Sequence, residues 1–423
     1  MKLADIIDFN PSTPIKKGTI APFIEMAALP TSARDIPFID TRAFTGSGSK
    51  FKNRDTLFAR ITPCLENGKG GFVSTLGEGV AAHGSTEFIV MRAKKKSDEL
   101  FTYYITRHPD FRTFAEQQMS GTSGRQRVAW QSLVDYELAD LLPVDRAEIA
   151  ATLGALDDKI ELNRRMNETL EAMARAWFRD WFVDFGPTRA KMAGTTPYLS
   201  PDLWALFPGS LDDEGKPEGW EFEAVINQAD WINGAAYKNM HFSDAPDALP
   251  VIKIAELKNG VTGNTAWTAT DLGLRYLIGD GELLFSWSGN PDTSIDTFLW
   301  SGGKAWLNQH IFAVRETGKR SKPFLHAMLK FLKPKFAELA RNKQTTGLGH
   351  VTKADMKRML ICTAPESVHK AFDELITPIF DRAFLLQMES HTLVQTRDLL
   401  LPRLMSGELG VADLDLAAKE IAS

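Results

Sequence analysis

The stretch SGTSGRQRV at residues 120–128 decides the fold, because an altered copy, KQTTGLGHV, follows at residues 343–351. Three residues keep their identity between the copies: Thr122, Gly124 and Val128 return as Thr345, Gly347 and Val351. The shift is 223 residues (345 minus 122) in a chain of 423. Residues 156–170 match residues 379–393 at the same shift, and DTLFAR at residue 55 resembles ELLFSW at residue 282. A repeat of this length predicts two duplicated domains.

Each copy is followed by a seam of residues spaced alternately by four and three, which is typical of a coiled-coil helix. The first seam is Ile149, Leu153, Leu156, Ile160, Asn163, Asn167, Leu170, Ala174, Trp177 and Trp181. The second is Phe372, Ile376, Ile379, Ala383, Leu386, Ser390, Leu393, Arg397, Leu400 and Leu404. A helix of about 36 residues is roughly 54 Å long, too long for one domain, so we expect the two helices to pack together. Pro378 is expected to weaken or kink the second helix.

An antiparallel pairing about a shared midpoint places Asn163 near Ser390 and Leu170 opposite Ala383. A buried Asn in such a seam costs stability but fixes the register of the pair. The residues expected in the helix–helix contact are Leu156, Ile160, Asn163, Leu170, Ile379, Ala383, Ser390 and Leu393. The alternative is that each helix packs only on its own domain.

The regions upstream of the helices mix short β-like runs such as EFIVMR with helical stretches and Gly/Pro turns, which indicates α+β domains. We therefore predict an α+β protein with a pseudo-two-fold repeat, in which two α+β domains are separated by two long antiparallel helices. The predicted segments are a first domain at 1–144, a central helix at 145–184, a second domain at 185–365 that begins with a linker at 185–219, a distal helix at 366–406 and a tail at 407–423.

The net charge of −5 argues at first against a nucleic-acid partner, but the charge is unevenly distributed. Residues 366–423 carry 10 acidic and 5 basic groups, whereas residues 300–358 carry 13 Lys/Arg and 3 Asp/Glu. A block this basic favours phosphate or another polyanion. A solvated helical face is the alternative.

The two Gly-rich loops carry hydroxyls, glycines and cations, which are residues that suit contact with phosphates or base edges of DNA. Lysines and arginines in two equivalent loops after EFIVMR and HIFAVR add to them. The candidate DNA-binding residues are Lys94, Lys95, Thr122, Ser123, Gly124, Arg125, Arg127, Lys319, Arg320, Thr345, Thr346, Gly347, His350 and Lys353. Ordinary capped turns and solvated surface lysines are the alternative.

Signs of catalysis are weak. The chain has no phosphate-binding GxxxxGK[ST] motif and no HxxxH or HxH pair, so we expect no catalytic residues, metal or cofactor. Asp202, Glu214 and Lys216 form a loose metal-nuclease pattern, but their turn-rich surroundings favour a structural interpretation. Two lone cysteines and the lack of an 18-residue apolar run indicate a cytoplasmic protein.

The chain resembles the specificity (S) subunit of type I restriction–modification systems. The resemblance covers nearly the whole chain and is most specific in four stretches: LLLPRLMSGEL at 399–409, LDDKIELNRRMNETLE at 156–171, AWFRDWFVDF at 176–185 and LFPGSLDDEGKPEGW at 206–220.

This resemblance implies a DNA-binding protein that is not itself an enzyme, with the domains at 1–144 and 185–365 as its two target-recognition domains. Its helices would dock two methyltransferase (modification) subunits, and restriction subunits carrying the motor and nuclease would join through the complex. Since the two domains differ in sequence, the double-stranded DNA target should be asymmetric and bipartite. The rival interpretations are a coiled-coil adaptor that binds only proteins, and a stand-alone nuclease.

Overall fold

The computed structural model describes residues 1–37, 39–122, 124–344 and 348–414. The chain forms two compact units. The first unit contains residues 1–162 and those from 392 onward, and the second contains residues 163–391. Each unit therefore includes a part of each of the two longest helices.

The first unit contains short strands and helices upstream of its share of the long helices. Its strands are β1 (Ile7–Phe9), β2 (Ile20–Ile24), β3 (Asp40–Ala43), β4 (Ser49–Lys52), β5 (Thr56–Ala59), β6 (Gly70–Phe72), β7 (Ala81–Gly84), β8 (Phe88–Ala93), β9 (Met119–Ser120) and β10 (Arg127–Val128). Its helices are α1 (Leu3–Ile6), α2 (Glu99–Arg107), α3 (Pro109–Gln117) and the first half of α4 (Pro143–Phe182).

The second unit repeats this plan with some additions. Its strands are β11 (Glu221–Ala224), β12 (Asp230–Asn233), β13 (Leu249–Ile252), β14 (Trp267–Thr268), β15 (Leu277–Ile278), β16 (Leu283–Ser286), β17 (Ser288–Gly289), β18 (Asp296–Leu299), β19 (Ala305–Leu307), β20 (Ile311–Arg315), β21 (Gly349–His350) and β22 (Leu360–Thr363). Its helices are α5 (Gly186–Met192), α6 (Pro201–Ala205), α7 (Ile254–Asn259), α8 (Lys322–Arg341), α9 (Lys353–Arg358) and the first part of α10 (Glu366–Met405).

The sheets of the two units have matching strand orders. One sheet has the order β1-β8-β5-β6 in the first unit and β12-β20-β16-β18 in the second. Another has the order β3-β2-β7-β4 and β14-β13-β19-β15, respectively, with the central pair parallel in both. These shared topologies confirm the α+β class and the internal repeat.

The two longest helices are equivalent along their whole length. Helices α4 and α10 each contain 40 residues, and their first residues are 223 positions apart (366 minus 143). All of the predicted seam residues are buried or half-buried. The second helix continues without interruption through Pro378, so the proline does not end it.

In the first unit, parts of the two helices pack against each other and against the sheet domain. Ile149 and Leu153 of α4 share a core with Leu401 and Leu404 of α10. Farther along α4, Asp157 pairs with Arg397, which precedes Leu401 in α10, so the two helices are antiparallel here.

The second unit shows the same antiparallel packing in its own share of the helices. Phe178 of α4 contacts Phe372 of α10, with ring centroids 6.4 Å apart. Farther along α4 from its C-terminal end, Asn163 is fully buried and donates a 2.8 Å hydrogen bond from Nδ2 to Oε2 of Glu389. The partner is the neighbour of Ser390, the residue that the sequence placed opposite Asn163.

Candidate nucleic-acid interface

The first Gly-rich loop closes the hairpin between β9 and β10. Gly121 and Gly124 have φ values of 129° and 76°, a region that glycine adopts without steric cost. The backbone N–H of Arg125 donates to the carbonyl of Thr122 at 3.0 Å, which forms a tight turn. Thr122, Gly124 and Arg125 are exposed at the tip of this turn. Ser123 lies outside the described residues.

The second Gly-rich loop ends in the same structural position as the first. His350 pairs with Ser288 just after β16, as Arg127 pairs with Ile61 just after β5. Thr345, Thr346 and Gly347 lie outside the described residues, and His350 is exposed.

Each Gly-rich loop ends at a valine that makes an equivalent backbone hydrogen bond in its unit. The backbone N–H of Val128 donates to the carbonyl of Arg60 at 2.9 Å, and that of Val351 donates to the carbonyl of Trp287 at 2.8 Å. Both valine side chains are buried. The repeat visible in the sequence is thus a repeat of a loop anchored by a buried valine.

The two arginines of the first loop have different surroundings. Arg127 forms an ion pair with Glu87, in which Nη2 and Nε of the arginine lie 2.7 Å and 3.0 Å from Oε1 of the glutamate. Arg125 is exposed, and its guanidinium has no hydrogen-bond or ion-pair partner among the described residues. Arg125 is therefore the cation of this loop that is available to an anion.

The lysines after EFIVMR are exposed, but one of them is engaged. Lys94 donates to the carbonyl of Ala4 at 2.5 Å and lies 4.0 Å from the carboxylate of Asp8. Lys95 is exposed and lies at the start of a 3-10 turn.

The corresponding cations of the second unit all have hydrogen-bond or ion-pair partners within that unit. Lys319 lies 2.6 Å from the carboxylate of Glu223. Arg320 is buried, donates to Gln228 at 3.1 Å, and has a pKa lowered by burial. Lys353 donates to the carbonyl of Trp231 at 3.1 Å.

Several cations of the basic block at residues 300–358 pair with acids that lie elsewhere in the sequence. Asp296 accepts Lys333 at 2.5 Å and has Lys330 at 3.4 Å. Outside the block, Asp292 pairs with Arg341 and Glu282 pairs with Arg315. Part of the block is therefore engaged in intramolecular ion pairs.

The loose nuclease pattern does not form a metal site in the described part of the chain. Lys216 pairs with Asp212 and Glu214 inside a tight turn, whereas Asp202 lies in the short helix α6. No group of three or more His, Cys, Asp or Glu side chains that could hold a metal ion occurs among the described residues.

Sequence reasoning missed several polar side chains that surround the two loops. Arg60 directly follows β5, beside an open depression that also exposes Asn10 and Thr86. In the second unit, Asn233 and Gln309 line a depression beside β12. The alignment of DTLFAR with ELLFSW carries the signal for Arg60, because it places that arginine opposite Trp287.

Fold and site together define a class: a duplicated α+β protein with two equivalent long helices and two loops that end at equivalent, buried valines. No family model matches the chain. The MjaIX type I restriction enzyme specificity subunit of Methanocaldococcus jannaschii is 24% identical over 321 residues, which are 74% of this chain and 70% of the relative. The HindI specificity subunit of Haemophilus influenzae is 25% identical over 412 residues, covering 85% and 87%, respectively.

A solved structure has the same fold. The S subunit of a type I restriction–modification system from M. genitalium superposes with a TM-score of 0.50 at 13% identity, covering 96% of this chain and 95% of that one. Over most of its length the chain is thus similar to specificity subunits of type I restriction enzymes. Within its described part, no helix is long and apolar enough to cross a membrane.

Proposed function

We propose that this protein is the DNA-recognition subunit of a type I restriction–modification complex. Each unit recognises one half of an asymmetric, bipartite target in double-stranded DNA. The protein itself carries no catalytic site. Methylation and cleavage are performed by partner subunits, and the long helices dock the methyltransferase subunits.

The observation that carries this proposal is a shared scaffold with different surface side chains. Sheet order and the anchored valine are the same in both units, whereas Arg60 is matched by Trp287. A duplicated scaffold presents two equivalent surfaces to DNA, and different side chains on them recognise different bases. An adaptor for proteins alone gives no comparable reason for two loops that end in the same way at a buried valine.

The distribution of charge supports separate roles for the units and the helices. Phosphate contacts position a protein on duplex DNA without reading sequence, and exposed Arg125 suits that role. The C-terminal segment, with 10 acidic and 5 basic groups at residues 366–423, suits a protein partner better than DNA.

Mapping of methylated bases in cells tests this function. Cells expressing the chain with a methyltransferase subunit that co-purifies with it are compared with cells expressing that subunit alone. We expect methylated bases at a single split motif, with two different halves and an unread gap, only when the chain is present.

Two results would overturn the proposal. An identical methylation pattern without the chain would show that target choice lies elsewhere. A complex that forms but neither methylates nor retains DNA in a salt-dependent manner would favour the adaptor that binds only proteins.

A further inference from the structure

Each unit has an open polar depression at the end of its edge strand, β1 or β12. The first depression, of about 360 Å³, is lined by Asn10, Thr13, Ser49, Lys50, Arg60 and Thr86. The second, of about 510 Å³, is lined by Asn233, Lys238, Met240, His241, Tyr276 and Gln309. Each depression lies within its own unit.

The strand register shows that two of the lining positions are equivalent. Lys50 pairs with His83 and Leu277 pairs with Trp306, in matching strands of the two units. The residues immediately before Lys50 and Leu277 are Ser49 and Tyr276.

The second equivalent position lies in a loop of the same length in both units. Thr86 is the middle residue of the loop 85–87 between β7 and β8. Gln309 is the middle residue of the loop 308–310 between β19 and β20. The two depressions therefore occupy the same place in the repeated fold but differ in chemistry.

An asparagine is common to both depressions, and the protein fixes its amide in both. Asn10 directly follows β1, and its Oδ1 accepts the backbone N–H of Val90 at 2.9 Å. Asn233 is the last residue of β12, and its Oδ1 accepts the indole N–H of Trp287 at 2.9 Å. The register places the two asparagines one position apart. Both are exposed and leave Nδ2 as a donor without a partner among the described residues.

The first depression holds an arginine that is not committed to an acid. Arg60 is half-buried, and its Nε is buried without a hydrogen-bond partner among the described residues. A guanidinium held in this way presents a planar fork, whose geometry matches O6 and N7 of guanine in the major groove.

The second depression has no arginine at this position. Trp287 takes the place of Arg60 and uses its single N–H on Asn233. Gln309 is exposed, with only a 3.4 Å contact to the ring of its neighbour His310. A glutamine amide offers a donor and an acceptor side by side, which matches N6 and N7 of adenine.

We propose that these depressions are the base-reading sites of the two units, in which Arg60 reads a guanine in one half-site and Gln309 reads an adenine in the other. The asparagines supply a hydrogen-bond donor in both sites. The two sites differ in their side chains at two equivalent positions, which are Ser49 and Tyr276 at one and Thr86 and Gln309 at the other. This inference rests on the proposed function.

Methylation mapping with variants in the assembled complex tests it. We expect Arg60→Lys, which keeps the charge but loses the fork, to relax one guanine position in one half-site by about 5- to 150-fold. We expect Gln309→Ala to relax one adenine position in the other half-site by a similar factor. In each case the untouched half-site should remain as specific as before, which also shows that the variant complex is folded.

Matched controls are Arg54→Ala and Asn227→Ala. Arg54 is an exposed arginine at the opposite end of β5 from Arg60, and Asn227 is an exposed amide in the second unit. Both should leave the motif unchanged.

The inference is contradicted if the wild-type complex shows a split motif and the motifs of the Arg60→Lys and Gln309→Ala variants are unchanged at every position. That result would leave the proposed function intact. Relaxation of both half-sites by one variant would contradict the inference too. A wild-type complex without any motif would instead contradict the proposed function.

Discussion

Asp157 of α4 and Arg397 of α10 form a buried ion pair, with Oδ1 of the aspartate 2.6 Å from Nη1 of the arginine and both side chains almost fully enclosed. The hydroxyl of Tyr104 donates to the second carboxylate oxygen of Asp157 at 2.6 Å. Arg397 also contacts the carbonyl of Ser32 and the carboxylate of Asp398. This network joins both long helices to the sheet domain of the first unit.

Removal of one partner from this pair should destabilise the first unit strongly. We expect Asp157→Ala to lower its free energy of unfolding by about 3–5 kcal/mol, because Arg397 would remain charged, buried and without its main partner. Denaturant unfolding measures the change. Asp158→Ala, at the exposed neighbouring residue that pairs with Arg34, should cost less than about 1 kcal/mol.

The double variant Asp157→Leu with Arg397→Leu gives a second check. It should recover most of the stability lost in Asp157→Ala, since apolar replacement of a whole buried pair is often neutral. An Asp157→Ala variant as stable as the wild type would show that the pair is not buried in solution.

The register of the helix pair in the second unit is testable by crosslinking. Because Asn163 contacts Glu389, cysteines introduced by Asn163→Cys and Ser390→Cys should form a disulfide on mild oxidation. The background carries Cys64→Ser to remove the less buried native thiol. Asn163→Cys with Glu374→Cys is the control, since 16 residues of helix separate positions 374 and 390 by about 24 Å. Efficient crosslinking of the control pair but not of the test pair would refute this register.

The second unit should lose stability in mild acid. Burial lowers the pKa of His326 to about 3, and burial also lowers the pKa of His369 to about 3. An unfolded histidine titrates near 6.5, so between these pH values the unfolded state binds more protons. The free energy of unfolding should therefore fall as the pH drops from about 6.5, by up to about 1.4 kcal/mol per pH unit for each histidine.

Variants isolate this effect from the titration of other groups. His326→Phe removes the ring that must stay neutral, so its unfolding free energy should fall less steeply between pH 7 and pH 5 than that of the wild type. A His326→Phe slope equal to the wild-type slope would mean that His326 is accessible to protons in the folded state.

Arg125 should contribute one phosphate contact in the complex with DNA. Each phosphate contact adds about 0.9 to the slope of log affinity against log salt concentration. We expect Arg125→Ala to reduce that slope by about this amount for any DNA sequence. Lys319→Ala should leave the slope unchanged, because Lys319 is already paired with Glu223. A slope that falls in Lys319→Ala but not in Arg125→Ala would show that the DNA binds a different face.

The sequence could predict the long helices because their seams are local and periodic. Residues such as Leu153 and Ile376 lie at regular spacing, and both are buried as expected. The seam also included Arg397, but its partner could not be predicted, because Asp157 lies off the first seam and the pair joins distant parts of the chain.

The candidate site was harder to predict for the same reason. Lys330 and Lys333 formed part of an apparently free basic block, yet both lie within ion-pair distance of Asp296 from an earlier strand. Sequence spacing within 300–358 contains no information about that strand. Arg60 escaped notice because a single arginine after a strand has no pattern of its own, and only the fold places it beside Asn10 and Thr86.

The central claim is that two units on one pair of helices read two separate half-sites. The most direct test inserts three heptads into each helix, between residues 162 and 163 and between residues 391 and 392, where the units meet in the sequence. Twenty-one residues add about 31 Å, close to one turn of DNA, so the second unit returns to the same face of the duplex. Methylation mapping should then show the same two half-sites, separated by a gap about nine to ten base pairs longer. An unchanged gap with intact methylation would contradict the claim.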